Sequence, residues 1–403
     1  MPLTLSLPLL TIALAAGLVF PPLSAYTSVY LTLGAMGIGL TFLTSRYWEV
    51  IGSPPFRSIW AALGLLLLTL PFVFKSGSDL AIFLVLIPVF MAPGLTMLLR
   101  ENPNFANPTV IGVFCLAGAA SAAVVGLNDT LILNIGRAGG GNNPIHFGGL
   151  SLTIGFAALI GVFGAKSPMR FLFLLGPVFG ILAALLSGSR GPILAGGILA
   201  LVTLPILVFW FWREKAFKLA LIVGAMVGVG LLAQSSGSTI TRAANIFSDV
   251  SAVFSTTRAV DSSTEQRLIL YSSAFEAFKE SPVFGYGSGS FAQAAGKHMP
   301  DEYAGMRNSE HLHSDIADFA TIGGTFGLVA YFCLLAAPLF AFRSVQNLEV
   351  RRAVMLGGII LSMGYFSLGL TNAMFGILPQ TTLYGVLLGV LVGMAQTEGG
   401  TKS

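Results

Sequence analysis

The stretch Glu310-His311-Leu312-His313-Ser314-Asp315-Ile316-Ala317-Asp318-Phe319 marks the sharpest change of character in this chain. Behind it, from about Gln234 to Ser314, lies a polar interval. That interval gathers Arg242, Arg258, Arg267, Lys279, Lys297, Arg307 and three of the four histidines. Ahead of it an apolar run extends from Ile316 to Phe342. The junction therefore reads as a long extramembrane loop feeding a membrane helix, and a chain that concentrates its ionisable groups in one loop places its chemistry there.

The rest of the chain supports that reading. Of its 403 residues 55% are hydrophobic and 9% charged, against about 25% charged in soluble proteins. The composition predicts an all-α integral membrane protein, since a helix needs ~20 apolar residues to cross a bilayer. About twelve apolar helical segments are expected from hydrophobic patterning. They cover residues 5–20, 24–44, 59–74, 79–98, 109–127, 147–164, 171–187, 192–212, 217–233, 315–342, 353–370 and 381–396. Residues 1–233 thus form a first membrane unit, 234–314 the long loop, and 315–403 a second membrane unit with a short tail. The opening apolar run lacks a basic leader and is followed at once by another, so it is expected to be a membrane helix rather than a signal peptide. Cys115 and Cys333 fall inside apolar spans and are expected to form no disulfide.

Lysine and arginine in short loops set the orientation. With the N-terminus in the cytoplasm, the inner segments hold Arg46, Arg57, Arg100, Lys166, Arg170, Arg213, Lys215, Lys218, Arg343, Arg351, Arg352 and Lys402. The short outer loops hold only Lys75, Arg137 and Arg190. Both termini are therefore expected inside and the long loop outside. Within that loop, Ile240, Ala244, Phe247, Ser251 and Phe254 recur near helical spacing and suggest a short helix on the membrane surface. A second helix begins near Ser262, where Ser262 with Glu265 and Ser263 with Gln266 fit capping boxes, and it ends at Ser281-Pro282. The run from Gly285 to Phe291 reads as a flexible turn.

Several residues stand out chemically. Arg190, in Ser187-Gly188-Ser189-Arg190-Gly191-Pro192, sits between two apolar runs with almost no loop, on the side where cations are sparse. Pro192 suits a helix first turn, and amides at that N-terminus would help bind an anion. Arg267, placed in the first turn of the loop helix, opposes the helix dipole and needs Glu265 or a bound anion to balance it. Arg137 lies in the second-largest outer loop, which also supplies amides and His146. His313 precedes a helix start, where the dipole disfavours imidazolium. A neutral imidazole there is suited to act as general base, with Glu310 one turn earlier to orient the ring. No role is assigned to His146, His298 or His311.

Other readings are weaker. His311-x-His313-x-Asp315 would share one face if extended, but the soluble sheet-and-helix domain in which such strings bind two metals is missing, and no metal is expected. Gly285, Gly287 and Gly289 lack the Gly-x-Gly-x-x-Gly spacing and follow no strand, and no Walker sequence occurs, so no nucleotide cofactor is expected. No basic run with interleaved aromatics points to nucleic acid. A transporter of lipids or solutes remains the competing class. It would bury ionisable groups at mid-bilayer, whereas most here fall at the outer edge.

Taken in order, these pieces resemble the O-antigen ligase and polymerase family. Ser187-Gly188-Ser189-Arg190-Gly191 is similar to the family's Ser-x-Ser-Arg-Gly turn. Arg267 followed by Tyr271 resembles the arginine and aromatic residue that open its main loop helix. Pro282 through Phe291 resembles its Pro-x-x-Gly-x-Gly-x-x-x-Phe segment, and His313 followed by Gly324 and Gly327 resembles the His-Asn run leading into the next membrane helix. Ser314 stands where that run has Asn. The resemblance implies a GT-C type glycosyltransferase fold in the bacterial inner membrane, with its active site facing the periplasm. It implies a donor glycan on undecaprenyl diphosphate and neither metal nor nucleotide. His313 would act as base, Arg190, Arg267 and Arg137 would hold the diphosphate, and Glu310 and Tyr271 would support them. The ligase branch transfers O-antigen to lipid A-core; the polymerase branch transfers it to another lipid-linked repeat. A third branch, acting on protein hydroxyls, usually carries a larger C-terminal region. One main loop and an end at Ser403 favour the ligase.

Overall fold

The computed structural model describes residues 5–41, 47–164, 166–233, 262–307 and 309–397. Among these residues all regular structure is helical. The helices are α1 (Ser6–Leu14, running on into a π turn at Ala15–Val19), α2 (Ala25–Leu40), α3 (Tyr47–Ile51), α4 (Pro54–Val73), α5 (Ala81–Val85), α6 (Ile87–Phe90), α7 (Ala92–Glu101), α8 (Pro108–Leu127) and α9 (Pro144–Ala157). They continue with α10 (Leu175–Leu186), α11 (Arg190–Phe211), α12 (Lys215–Ala233), α13 (Ser262–Glu280), α14 (Phe291–Gly296), α15 (Asp315–Ala336), α16 (Leu348–Gly369) and α17 (Leu378–Thr397).

Over its described residues, each apolar segment read from the sequence coincides with one or more helices. Among the described residues eight helices are long and apolar enough to cross a membrane, or nine if a bent pair is one span. That pair, Gly77–Val85 with Ile87–Glu101, bends by 51°. The first two apolar helices are shorter, within 10–17 residues. At about 1.5 Å per residue they fall short of a ~30 Å hydrocarbon layer, because Pro21-Pro22 interrupts the run that joins them. The surface helix expected around 240–254 lies outside the described residues, as do the capping side chains of Ser262 and Ser263.

The turns meet in two groups, at opposite ends of the bundle. At one end Ala138 N–H donates to Leu186 O at 3.0 Å, Ala25 N–H to Asn142 Oδ1 at 3.3 Å, and Phe375 N–H to Asp315 Oδ1 at 3.0 Å. At the other, Asn102 donates to Ser6 at 3.2 Å, Arg100 pairs with Glu49 at 3.2 Å, and Arg170 pairs with Glu214 at 2.5 Å. The spans of α9 and α17 form the interior, with 89% and 94% of their membrane windows buried. Small residues permit close packing: a Cβ on Gly112 of α8 would lie 2.5 Å from Gly161 Cα. Leu201, Phe209 and Met226 face outward, as a lipid-facing surface requires.

α15 is broken. Gly324 has φ 59° and ψ −141°, a conformation essentially restricted to glycine. The break frees carbonyls that must be satisfied inside a membrane protein. The loop after α13 supplies the donors: Tyr286 N–H bonds Thr321 O and Gly287 N–H bonds Ile322 O, both at 2.9 Å. Thr325 N–H returns a bond to Pro282 O at 2.8 Å. Asp79, buried in the short 3-10 turn Gly77–Leu80 that precedes α5, accepts from Gly289 N–H at 2.9 Å. The glycine-rich run expected to be a flexible turn is therefore held at three points.

Candidate active site

Three arginines from separate parts of the chain line one cavity of about 360 Å³, together with Ile145, Gly188, Ser189, Gly191 and Thr371. They are Arg137, Arg190 and Arg267. α10 ends at Leu186, and Gly188 at φ 61° turns the chain at once into α11. Ser189 is the extended N-cap and Arg190 the first residue of that helix. The cavity thus meets a helix N-terminus, where the first amides have no intrahelical acceptor and the dipole favours an anion. Arg190 Nη1 lies 3.5 Å from Thr264 Oγ1, which ties α11 to α13. Arg137 is aimed by the same turn: its Nε donates to Ser187 O at 3.0 Å and its Nη2 to Ser189 Oγ at 2.9 Å.

The helix begins at Ser262, as the sequence reading had it, but Arg267 is its sixth residue and so falls in the second turn of α13, not the first. Dipole repulsion is therefore weaker there than expected. Glu265 does not balance it; that carboxylate accepts a hydrogen bond from Tyr303 OH at 2.9 Å. Tyr271 lies four residues after Arg267, on the same helix face. Its hydroxyl is within reach of His313 O at 3.1 Å and Leu370 O at 2.9 Å. Burial pushes the phenol up to about 12, against the opposing pull of Arg267. It remains a protonated donor at neutral pH.

His313 sits at the junction of these elements, beside the cavity rather than among its lining residues. Its φ is 55°, in the left-handed region uncommon for a residue with a side chain. Ser314 follows as the extended N-cap of α15. Burial lowers the His313 imidazole below the ordinary histidine range, and the nearby Arg267 guanidinium lowers it further. Both effects act in the direction the sequence reading expected, against the opposing pull of Asp318. A neutral imidazole next to a cationic cavity has the protonation state of a general base.

Glu310 lies elsewhere. It lines a smaller cavity of about 110 Å³ with His311, Asp318, Ser288, Phe291 and Phe319. Its charge acts on His311, whose imidazole is raised despite burial by its contact with Asp318, 3.5 Å from Nδ1. His298 pairs with Glu280 at 3.5 Å, away from this group. His146, near the start of α9, is an electrostatic neighbour of His311 and His313. Asp315 turns away to accept from Phe375 N–H at 3.0 Å, so His311, His313 and Asp315 do not converge. Among the described residues no group of three His, Cys, Asp or Glu side chains is arranged to hold a metal ion.

Sequence reasoning missed Thr371 and Ser189 as cavity residues, and it gave Asp318 no role at the candidate site. The signals were present. Asp318 is a carboxylate within an apolar helix, which is costly and is by default a functional hypothesis. Thr371-Asn372 is a polar pair placed directly after an apolar span.

No curated protein matches the chain. Residues 175–332 match the family model described as O-Antigen ligase. The matched region runs from α10 into α15 and takes in Arg190, Arg267, Tyr271 and His313, while Arg137 lies before it. That matched region, less than half of the chain, is similar to the O-antigen ligase family and includes two of the three cavity arginines and the candidate base.

Proposed function

We propose that this protein is an O-antigen ligase of the bacterial inner membrane, transferring glycan from undecaprenyl diphosphate to lipid A-core at the periplasmic face. In this reading the described helices before and after the loop supply membrane passes of a GT-C type fold, and the described loop residues 262–307 and 309–314 cover the site from outside. The observation that carries the reading is the meeting of Arg137, Arg190 and Arg267 in one cavity beside a neutral His313.

The donor stores the required energy in its sugar–diphosphate bond, so the reaction needs neither ATP nor metal. An acceptor hydroxyl oxygen attacks the anomeric carbon as its proton passes to His313. The bond from that carbon to the diphosphate oxygen breaks, and the leaving diphosphate carries away the electron pair. Arginine suits that leaving group, since it stays charged and bonds phosphate in a bidentate fork. Direct displacement inverts the anomeric centre. The lipid tail of the donor enters sideways between helices.

The placement of buried carboxylates favours an enzyme over a transporter. Asp79, Asp129, Asp315 and Asp318 are buried, and each lies at a helix end on the same side as the arginine cavity. A transporter reading would place such groups within several helices at mid-bilayer. The experiment is direct: purified protein is mixed with lipid-linked O-antigen and rough lipopolysaccharide, without ATP or metal. A glycan ladder on lipid A-core supports the ligase. Longer lipid-linked chains would make the protein a polymerase, and no transfer at all would overturn both.

A further inference from the structure

We propose that Asp318 is the positioning residue for His313, a single carboxylate that closes the His311–Ser314 turn and so presents the imidazole to the arginine cavity. The inference rests on the reading of His313 as the base. Asp318 lies in the first turn of α15 and is 3% exposed. Its Oδ1 accepts from Leu312 N–H at 2.8 Å. Its Oδ2 lies 3.5 Å from His311 Nδ1. Its own N–H donates to Ser314 O at 2.8 Å. Three atoms of one residue thus reach positions 311, 312 and 314, and His313 is the residue enclosed. From the far side Tyr271 OH approaches His313 O at 3.1 Å.

The enclosed residue needs such a clamp. A left-handed φ at a residue with a β-carbon persists only where the surroundings over-determine it. A carboxylate buried at the end of a membrane helix is likewise retained only where it has work to do. Both exceptions meet at this turn.

The charged and titratable groups around His313 are few. α13 contributes Arg267 and Tyr271, and α9 contributes His146. Its own segment contributes His311 and Asp318, while Glu310 lies in the adjoining cavity and Asp315 accepts from Phe375 N–H. α5 presents Ala81, Ile82 and Val85 to the adjoining cavity and adds no charge. The Asp318 carboxylate raises both His311 and His313. Its removal therefore moves both imidazoles down in pH.

Two variants separate geometry from charge. Asp318→Asn keeps an oxygen for Leu312 N–H and loses the charge. Asp318→Ala loses both. In Asp318→Ala, kcat is expected to fall about 100-fold, the scale of an ångström-level misplacement, with donor KM unchanged. Asn should restore most of kcat. A second readout needs no turnover: modification of His311 and His313 by diethyl pyrocarbonate, followed against pH by peptide mass spectrometry on the full chain. Both variants should lower the two midpoints, and only Asp318→Ala should also speed modification of His313 as the turn opens. Asp318→Ala protein that folds, keeps wild-type kcat and modifies as wild type overturns the proposal. If instead wild type and His313→Ala transfer equally, the base assignment fails, while the modification profiles still report whether Asp318 holds the turn.

Discussion

The phenolic oxygen of Tyr271 lies 3.1 Å from the carbonyl oxygen of His313, joining the loop helix that carries Arg267 to the turn that carries the candidate base. The same hydroxyl reaches Leu370 O at 2.9 Å, at the end of α16. One side chain thus links three elements around the site. Tyr271→Phe should lower stability by about 1 kcal/mol, the usual net worth of a hydrogen bond. It should lower kcat more than it raises donor KM. Thermal denaturation in detergent and steady-state transfer kinetics check the two parts separately.

His313→Ala should reduce transfer by ~10²–10⁴-fold, the contribution of a positioned general base. Donor binding should survive, because the imidazole is not among the cavity's lining residues. Titration of the variant with a lipid diphosphate measures that directly. Normal transfer by the variant would remove His313 from the mechanism.

Arg190→Ala should cost ~10²–10³-fold in kcat, the scale for losing one preorganised charge-stabilising donor, and should weaken binding of undecaprenyl diphosphate. Arg190→Lys should restore the charge but only part of the rate, since an ammonium cannot form the bidentate fork. Arg137→Ala should weaken binding as well, because this guanidinium is tied to Ser187 and Ser189 of the same turn. Isothermal titration with the product diphosphate reads these differences without the acceptor.

The pH profile tests the electrostatics. His313 is lowered by burial and by Arg267, so the neutral, basic form persists to lower pH than in free histidine. The acidic limb of kcat/KM should lie below about 6.5, the ordinary histidine value. Arg267→Gln removes a cation that opposes protonation. The limb should then move to higher pH, and an unmoved limb would separate Arg267 from His313.

Gly324→Ala should destabilise the fold by about 1–3 kcal/mol, the cost of a residue held in a sparsely populated backbone region. A Cβ there would also lie 2.5 Å from Val283 O. Reduced thermal stability of the purified variant, with Gly323→Ala as a neighbouring control, is the expected outcome. A Cβ on Gly323 meets nothing nearer than 3.7 Å.

Much of this was legible in the sequence because it depends on local pattern. Apolar runs located the helices, but the two around Pro21-Pro22 were read as full spans and are shorter in the structure. Arg190 was conspicuous because it stood on the side poor in cations. Contacts between distant segments left no such trace. A 3.6-residue stripe shows which face of a helix is buried but not its neighbour, so the bond from Tyr271 to His313 could not be read. Glu310 was placed beside His313 on the assumption of regular spacing. The left-handed φ of His313 breaks that spacing and leaves Glu310 with His311. The start of Arg267's helix at Ser262 was legible, yet Arg267, six residues in, belongs to its second turn rather than the first.

The break in α15 at Gly324, closed by the amides of Tyr286 and Gly287, bears on how this molecule can be re-engineered. Its outer region is not a detachable cap. Grafting that region from a relative, to redirect which sugars are accepted, would strand carbonyls in the bilayer unless the broken helix were transplanted with it. Chimeras should therefore be cut at the C-terminal end of α15, and specificity is expected to be inherited as a helix-plus-loop block.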